Sequence, residues 1–147
     1  MRRSEAETGG PGGLVYAAVE DLLFRSRISE AAASLGIEAR FPRSPKKLRE
    51  ALRAERPDLL VLDLNSQRFE PLALLGDLAA DRELREVPTL GYLSHVQKDL
   101  AVSAREAGCD RIVARSAFVG GLPEILLPKG DRKAGKTGGE GGPDDLL

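Results

Sequence analysis

The chain has 147 residues, 41% of them hydrophobic and 31% charged, enough for one globular domain and too few for two. Lys and Arg number 22 against 23 Asp and Glu, so the formal net charge is −1 and no global basic field exists to recruit nucleic acid or an anionic membrane. A single cysteine, Cys109, excludes an internal disulfide and a cysteine metal cluster and fits a reducing compartment. Glu5, Glu7 and a glycine cluster stand where a signal peptide would need an apolar segment, and no run reaches bilayer length, so the expected location is the cytoplasm.

Residues 1–13 end in Gly-Gly-Pro-Gly-Gly, and residues 129–147 hold almost nothing to bury; both are expected to be disordered tails flanking a domain over 14–128. Leu14 to Val19 is a small and β-branched run suited to a central strand, followed by Glu20 and Asp21. From Leu22 to Leu35 the residues Leu22, Leu23, Phe24, Ile28, Ala31, Ala32 and Leu35 form a helical stripe, stopped by Gly36. Ile37 to Phe41 alternates apolar with charged, as an edge strand does. Ser44 and Pro45 then open a short helix that ends before Pro57.

Pro57-Asp58-Leu59-Leu60-Val61-Leu62-Asp63 is the most informative stretch, a buried parallel strand entered through a turn and closed by a carboxylate. Pro71 to about Arg85 reads as the third helix, Thr89 to Leu93 as the fourth strand, and Gln97 to Ala107, stopped by Gly108, as the fourth helix. Arg111 to Ala114 is a brief fifth strand, and Leu122 to Leu127 a truncated fifth helix between Pro123 and Pro128. Strands alternating with helices imply an α/β fold with a parallel sheet covered on both faces. The natural solution is the flavodoxin-like, doubly wound five-stranded order 2-1-3-4-5, whose switch point between strands one and three brings Glu20, Asp21 and Asp63 into one crevice.

This pattern resembles the receiver domain of two-component response regulators, whose single-domain form is that of the chemotaxis regulators. The resemblance covers about Leu14 to Leu127 and rests on the acidic residues after strand one, Pro-Asp-Leu-Leu-Val-Leu-Asp, Pro88 before strand four, and Ala107-Gly108 before strand five. It implies Asp63 as acceptor of a phosphoryl group from a histidine kinase. It also implies a Mg2+ ion held by Glu20, Asp21, Asp63 and the Asn65 backbone carbonyl, with Arg115 and Ser94 contacting the phosphate. Those residue types suit the chemistry, since a carboxylate attacking a phosphoryl group needs the charge on three oxygens neutralised.

Several positions depart from the family. Val19 stands where the first acidic residue is expected, Leu93 where the strand-four hydroxyl belongs, Arg115 in place of a lysine, Ile112 in place of an aromatic, and Ser66-Gln67 in place of Met-Pro. Metal binding is accordingly expected to be weak or absent. The chain reads as a degenerate receiver, or pseudo-receiver. A permanent Asp63–Arg115 pair is a competing arrangement. So is simple capping of the first helix by Glu20 and Asp21.

His95 has no second ligand near it in sequence and reads as exposed, and Cys109 as a small buried thiol. Lys46, Lys47, Arg49, Arg53 and Arg56 are interleaved with Glu50 and Glu55 and read as a solvated face. No glycine fingerprint or nucleophile–base pair supports an enzyme. Two functions follow: a stand-alone phosphorelay receiver acting through regulated protein–protein binding, or a phosphorylation-independent scaffold or interaction module. In either case the expected partner is a protein, a histidine kinase or a downstream signalling protein. The chain is expected to be monomeric, because the short fifth helix weakens the dimer surface of many receivers.

Overall fold

The computed structural model describes residues 13–94 and 97–127. Both expected tails, apart from Gly13, lie outside the described residues, as does His95. In chain order the elements are β1 (Gly13–Ala18), α1 (Leu22–Leu35), β2 (Ile37–Arg40), α2 (Pro45–Ala54), β3 (Leu59–Asp63), α3 (Pro71–Ala79), β4 (Thr89–Leu93), α4 (Lys98–Glu106), β5 (Arg111–Ala114), α5 (Arg115–Gly120) and α6 (Leu122–Leu126). All four strand pairings are parallel and the order is β2-β1-β3-β4-β5, so the flavodoxin-like expectation is met.

The local signals explain most boundaries. Gly36 adopts the left-handed conformation, φ 73°, and its N–H closes the last turn of α1. Ser44 caps α2 by accepting from the Lys47 N–H, with Pro45 at the first helical position.

Three segments differ from the sequence reading. Helix α1 faces the core through Phe24, Ile28 and Ala32, spaced by four; at about 100° per residue this register turns Leu22 and Leu23 outward, and they are 74% and 58% exposed. Helix α3 ends at Ala79 because Asp81 starts a separate turn, accepting from the Glu83 N–H at 2.8 Å. Leu84 remains buried beyond it, which is why the apolar pattern reads on. The expected truncated helix is present as α6, but a further short helix that the sequence reading lacked, α5, begins at Arg115 directly after β5.

Two cores sandwich the sheet. One holds Tyr16, Leu60, Leu62, Leu64 and Leu93 beneath α2, α3 and α4; the other holds Val15, Val61, Tyr92 and Ile125 beneath α1, α5 and α6. In the second, Tyr92 clusters with Phe24 and Phe118, its ring centroid 5.3 and 4.5 Å from theirs and theirs 6.2 Å apart. In the first, the buried Tyr16 hydroxyl donates to the Glu55 and Ala51 carbonyls at 2.7 and 3.1 Å, pinning the end of α2 to β1. Burial is the main cause that raises the Tyr16 pKa, so it remains a donor. Cys109 is buried, as its sequence reading expected, and that burial is the main cause raising its thiol pKa.

The basic face of α2 is compensated across to α3 and its following turn. Arg49 pairs with Asp77 at 3.3 Å, and Arg53 pairs with Asp81 and, at 3.8 Å, with Glu83. It is thus an interhelical charge seam rather than an unopposed patch, although exposed pairs of this kind contribute little each.

Tyr16→Phe removes the donor and leaves two end-of-helix carbonyls without it. Its expected cost is about 1 kcal/mol in urea unfolding, with the m-value unchanged.

Candidate functional site

The carboxyl ends of β1, β3, β4 and β5 place Glu20, Asp21, Asp63, Ser94 and Arg115 at one edge of the sheet. Asp63 is half-buried at the last position of β3, in register with Tyr92 of β4. Its position is set from β4: Leu64 packs over Gly91, where an added Cβ would approach the leucine side chain to 2.8 Å. The Leu64 N–H also donates to the Tyr92 carbonyl at 2.9 Å. With Leu64 so held, the turn folds back and the Asn65 N–H donates to Asp63 Oδ1 at 2.9 Å.

Each acidic group has a protein donor of its own. Glu20 Oε2 accepts from Ser66 Oγ at 2.5 Å and from the Arg68 N–H at 3.3 Å. Asp21 is the N-cap of α1, its Oδ1 accepting from the Phe24 N–H at 3.0 Å. Asn65 is exposed in the turn after β3. Its side chain accepts from the Ser94 N–H at 2.8 Å and donates to Gln97 Oε1 at 3.0 Å. Ser94 Oγ lies 3.5 Å from the same Gln97 oxygen, so Ser94 belongs to a polar bridge between the β3 and β4 loops.

Arg115 is exposed, with its guanidinium over the Phe24 ring, 5.2 Å from the centroid. Among the described residues no ion pair within 4 Å joins it to Asp63, so the locked pair is not formed. Arg115 acts on Asp63 only through its field.

Burial raises the Asp63 pKa above the ordinary carboxylate value of 3.8, reinforced by Glu20 and Asp21 and opposed by the Asn65 N–H and Arg115. Tyr92, 1% exposed, has a hydroxyl with no hydrogen-bond partner among the described residues. Burial raises its pKa strongly, and the neighbouring Asp63 charge adds to the effect. Leu93, at the expected hydroxyl position, is packed in the other core.

The donor set falls short of what a divalent cation requires. Mg2+ takes carboxylate oxygens in near-octahedral geometry, and no group of three or more His, Cys, Asp or Glu among the described residues could hold a metal ion. With Asp21 committed to the helix cap and Glu20 turned to Ser66 and Arg68, the residues present do not fit that ion.

Ser66 and Gln97 are named in the sequence reading only as a family departure and a helix start, not as members of the site. Ser66 is buried, and besides donating to Glu20 it accepts from the Phe69 N–H at 3.1 Å. Serine three residues before a buried aromatic is a turn signal that could have marked it. Gln97 gives no comparable signal.

The fold has counterparts among solved structures. The phosphorylated cyanobacterial phytochrome response regulator RcpA is 21% identical, superposes with a TM-score of 0.68 and aligns over 78% of this chain and 89% of its own. A response regulator from Hahella chejuensis is 17% identical, with a TM-score of 0.69 over 77% and 91% of the two chains. The Mn(2+)-bound form of the response regulator Rcp1 is 13% identical, with a TM-score of 0.68 over 77% and 91%. The chain has the receiver-domain fold. No protein-family model and no curated protein matches its sequence. Among the described residues, no helix of this receiver fold is long and apolar enough to cross a membrane.

Two expected outcomes follow from the receiver's acidic end. A carboxylate whose folded pKa lies above its unfolded one costs stability when charged, and that cost disappears as pH falls through the folded pKa toward 3.8. Asp63→Asn is therefore stabilising at neutral pH, and thermal melts at stepped pH should show its advantage shrinking through that window. Tyr92→Phe deletes an unpartnered hydroxyl and is expected to be neutral or stabilising by up to about 1 kcal/mol; a loss larger than that in urea unfolding would show that the hydroxyl is satisfied.

Proposed function

We propose that this receiver fold serves as a non-enzymatic protein-binding signalling module whose binding does not depend on phosphoryl transfer to Asp63. The observation that carries this reading is the separate engagement of the three carboxylates, Glu20 by Ser66 and Arg68, Asp21 by the α1 backbone, and Asp63 by Asn65. A phosphoryl acceptor of this class works by electrostatic stabilisation from parts held in geometry. Here Glu20 and Asp21, which would hold a metal ion, are hydrogen-bonded elsewhere, and the hydroxyl position is the apolar core residue Leu93. The partner is a protein of a two-component pathway, a histidine kinase or a downstream signalling protein, bound by a monomer.

A second reading keeps Asp63 as the acceptor, with Arg115 and Ser94 contacting the phosphate and Mg2+ held by Glu20, Asp21, Asp63 and the Asn65 carbonyl. It is favoured by the half-exposed Asp63 at the end of β3 and by the positive field of Arg115. It requires Asp21 to leave its cap, at a cost of about 1 kcal/mol.

Beryllofluoride titration with Mg2+, followed by amide NMR on the wild type and on Asp63→Asn, separates the two. The proposed function expects no Mg2+-dependent shifts that differ between the two proteins. Shifts spreading from β1, β3 and β5 in the wild type and lost in Asp63→Asn would establish a working acceptor instead.

A further inference from the structure

A cleft of about 280 Å³ opens beside the acidic end, between the loops that follow β1, β2 and β3. Its lining is Val19, Glu20, Arg25, Pro42, Arg43, Arg68 and Phe69. None of the three arginines entered the sequence-based site.

The charge in this cleft is unbalanced. Arg25, Arg43 and Arg68 face a single carboxylate, Glu20, whose Oε2 already accepts from Ser66 Oγ and the Arg68 N–H. Among the described residues, none of the three makes an ion pair with a carboxylate, whereas Arg40, Arg49 and Arg53 all do. The comparison cleft at the other end of the sheet is balanced, with Arg85 and Arg111 beside Glu86 and Asp110.

Two of these cations are also oriented by contacts that leave their charge uncompensated. The Arg25 guanidinium lies over the Phe41 ring, 5.2 Å from its centroid. Arg68 Nη1 donates to the Arg43 carbonyl at 3.1 Å, which joins the β2 and β3 loops across the cleft. Guanidinium groups held this way lose less freedom on binding, and their planar donor fork matches the oxygens of a phosphate.

The remaining walls are apolar. Val19 and Phe69 are buried, and Pro42 is partly so. The residue that removes an acid from the expected metal site, Val19, thus supplies an uncharged wall here. A volume at the small end of ligand pockets suits a phosphate carrying one nucleoside-sized group.

We propose that this cleft is a binding site for a small phosphate monoester, its phosphate held by Arg25, Arg43 and Arg68 and its organic part against Val19, Pro42 and Phe69. Asp63 does not line the cleft, and the proposal does not rest on either reading of that residue.

The test is amide NMR of the full chain at fixed ionic strength, titrated with adenosine 5′-monophosphate and, separately, with inorganic phosphate. The same titrations are run on Arg43→Ala, Arg68→Ala, Asp63→Asn and Arg85→Ala, each with its melting temperature recorded. The expected result is saturable shifts centred on residues 19–20, 25, 43 and 68–69, with the monophosphate bound more tightly than phosphate. Arg43→Ala and Arg68→Ala should each weaken binding at least tenfold, while Asp63→Asn and Arg85→Ala leave it unchanged. Because the Arg68 side chain also ties the β3 loop to the Arg43 carbonyl, Arg43→Ala decides the matter if Arg68→Ala lowers the melting temperature. The proposal is overturned by non-saturating shifts, by equal loss in Arg85→Ala, by shifts that vanish in Asp63→Asn, or by equal affinity for the two probes.

Discussion

Strand β3 lies between β1 and β4, and its residues Leu59 to Leu62 are shut off from water on both faces of the sheet. A segment with no wet side cannot slip by one residue without driving every side chain into the opposite core. Its register therefore fixes where the chain must emerge, and it emerges at Asp63. The two cores, the flanking helices and the acidic edge are all consequences of that one buried strand. The Leu64–Gly91 contact extends the constraint one residue beyond the strand, so that the turn carrying Asn65 and Ser66 is placed by packing as well as by hydrogen bonds.

The acidic edge has the character of a hydrogen-bonded structural joint. Carboxylates grouped at the end of a sheet repel one another unless something neutralises them, and a bound cation is one solution. Here backbone N–H groups and a serine hydroxyl supply another, distributing the three carboxylates over a helix cap, a loop tie and a turn. The positive charge of the region is likewise displaced, with Arg115 stacked on Phe24 and the other three arginines gathered on the β2 side.

Much of the fold was legible in the sequence because its signals are local and agree with one another. Ser44-Pro45 starts a helix and Gly36 ends one for reasons contained in a few residues, and the unbroken apolar run before Asp63 has few other solutions. The failures occurred where a pattern continued past a backbone event. Leu84 keeps the helical spacing of α3 although Asp81 has already turned the chain, and Leu22 and Leu23 look like core until the register of Phe24, Ile28 and Ala32 is known. The site was legible as a place, since the end of β3 at a switch point needs only topology. Its wiring was legible only in part: Asp21 and Asp63 take donors two or three residues further on, whereas Glu20 takes Ser66, 46 residues away, through loops that meet only in the fold.

The aromatic content of the chain gives this arrangement an optical consequence. There is no tryptophan, and the only two tyrosines, Tyr16 and Tyr92, are both fully enclosed, one in each core. Near-ultraviolet signals from tyrosine thus come from the two sides of the sheet alone. Tyr16 reports on the seating of α2 through its bonds to helix carbonyls, and Tyr92 on the aromatic stack beneath α1 and α5. With one of the two replaced by phenylalanine, the surviving chromophore follows a single layer, so the native chain carries a separate built-in spectroscopic label for each half of its interior.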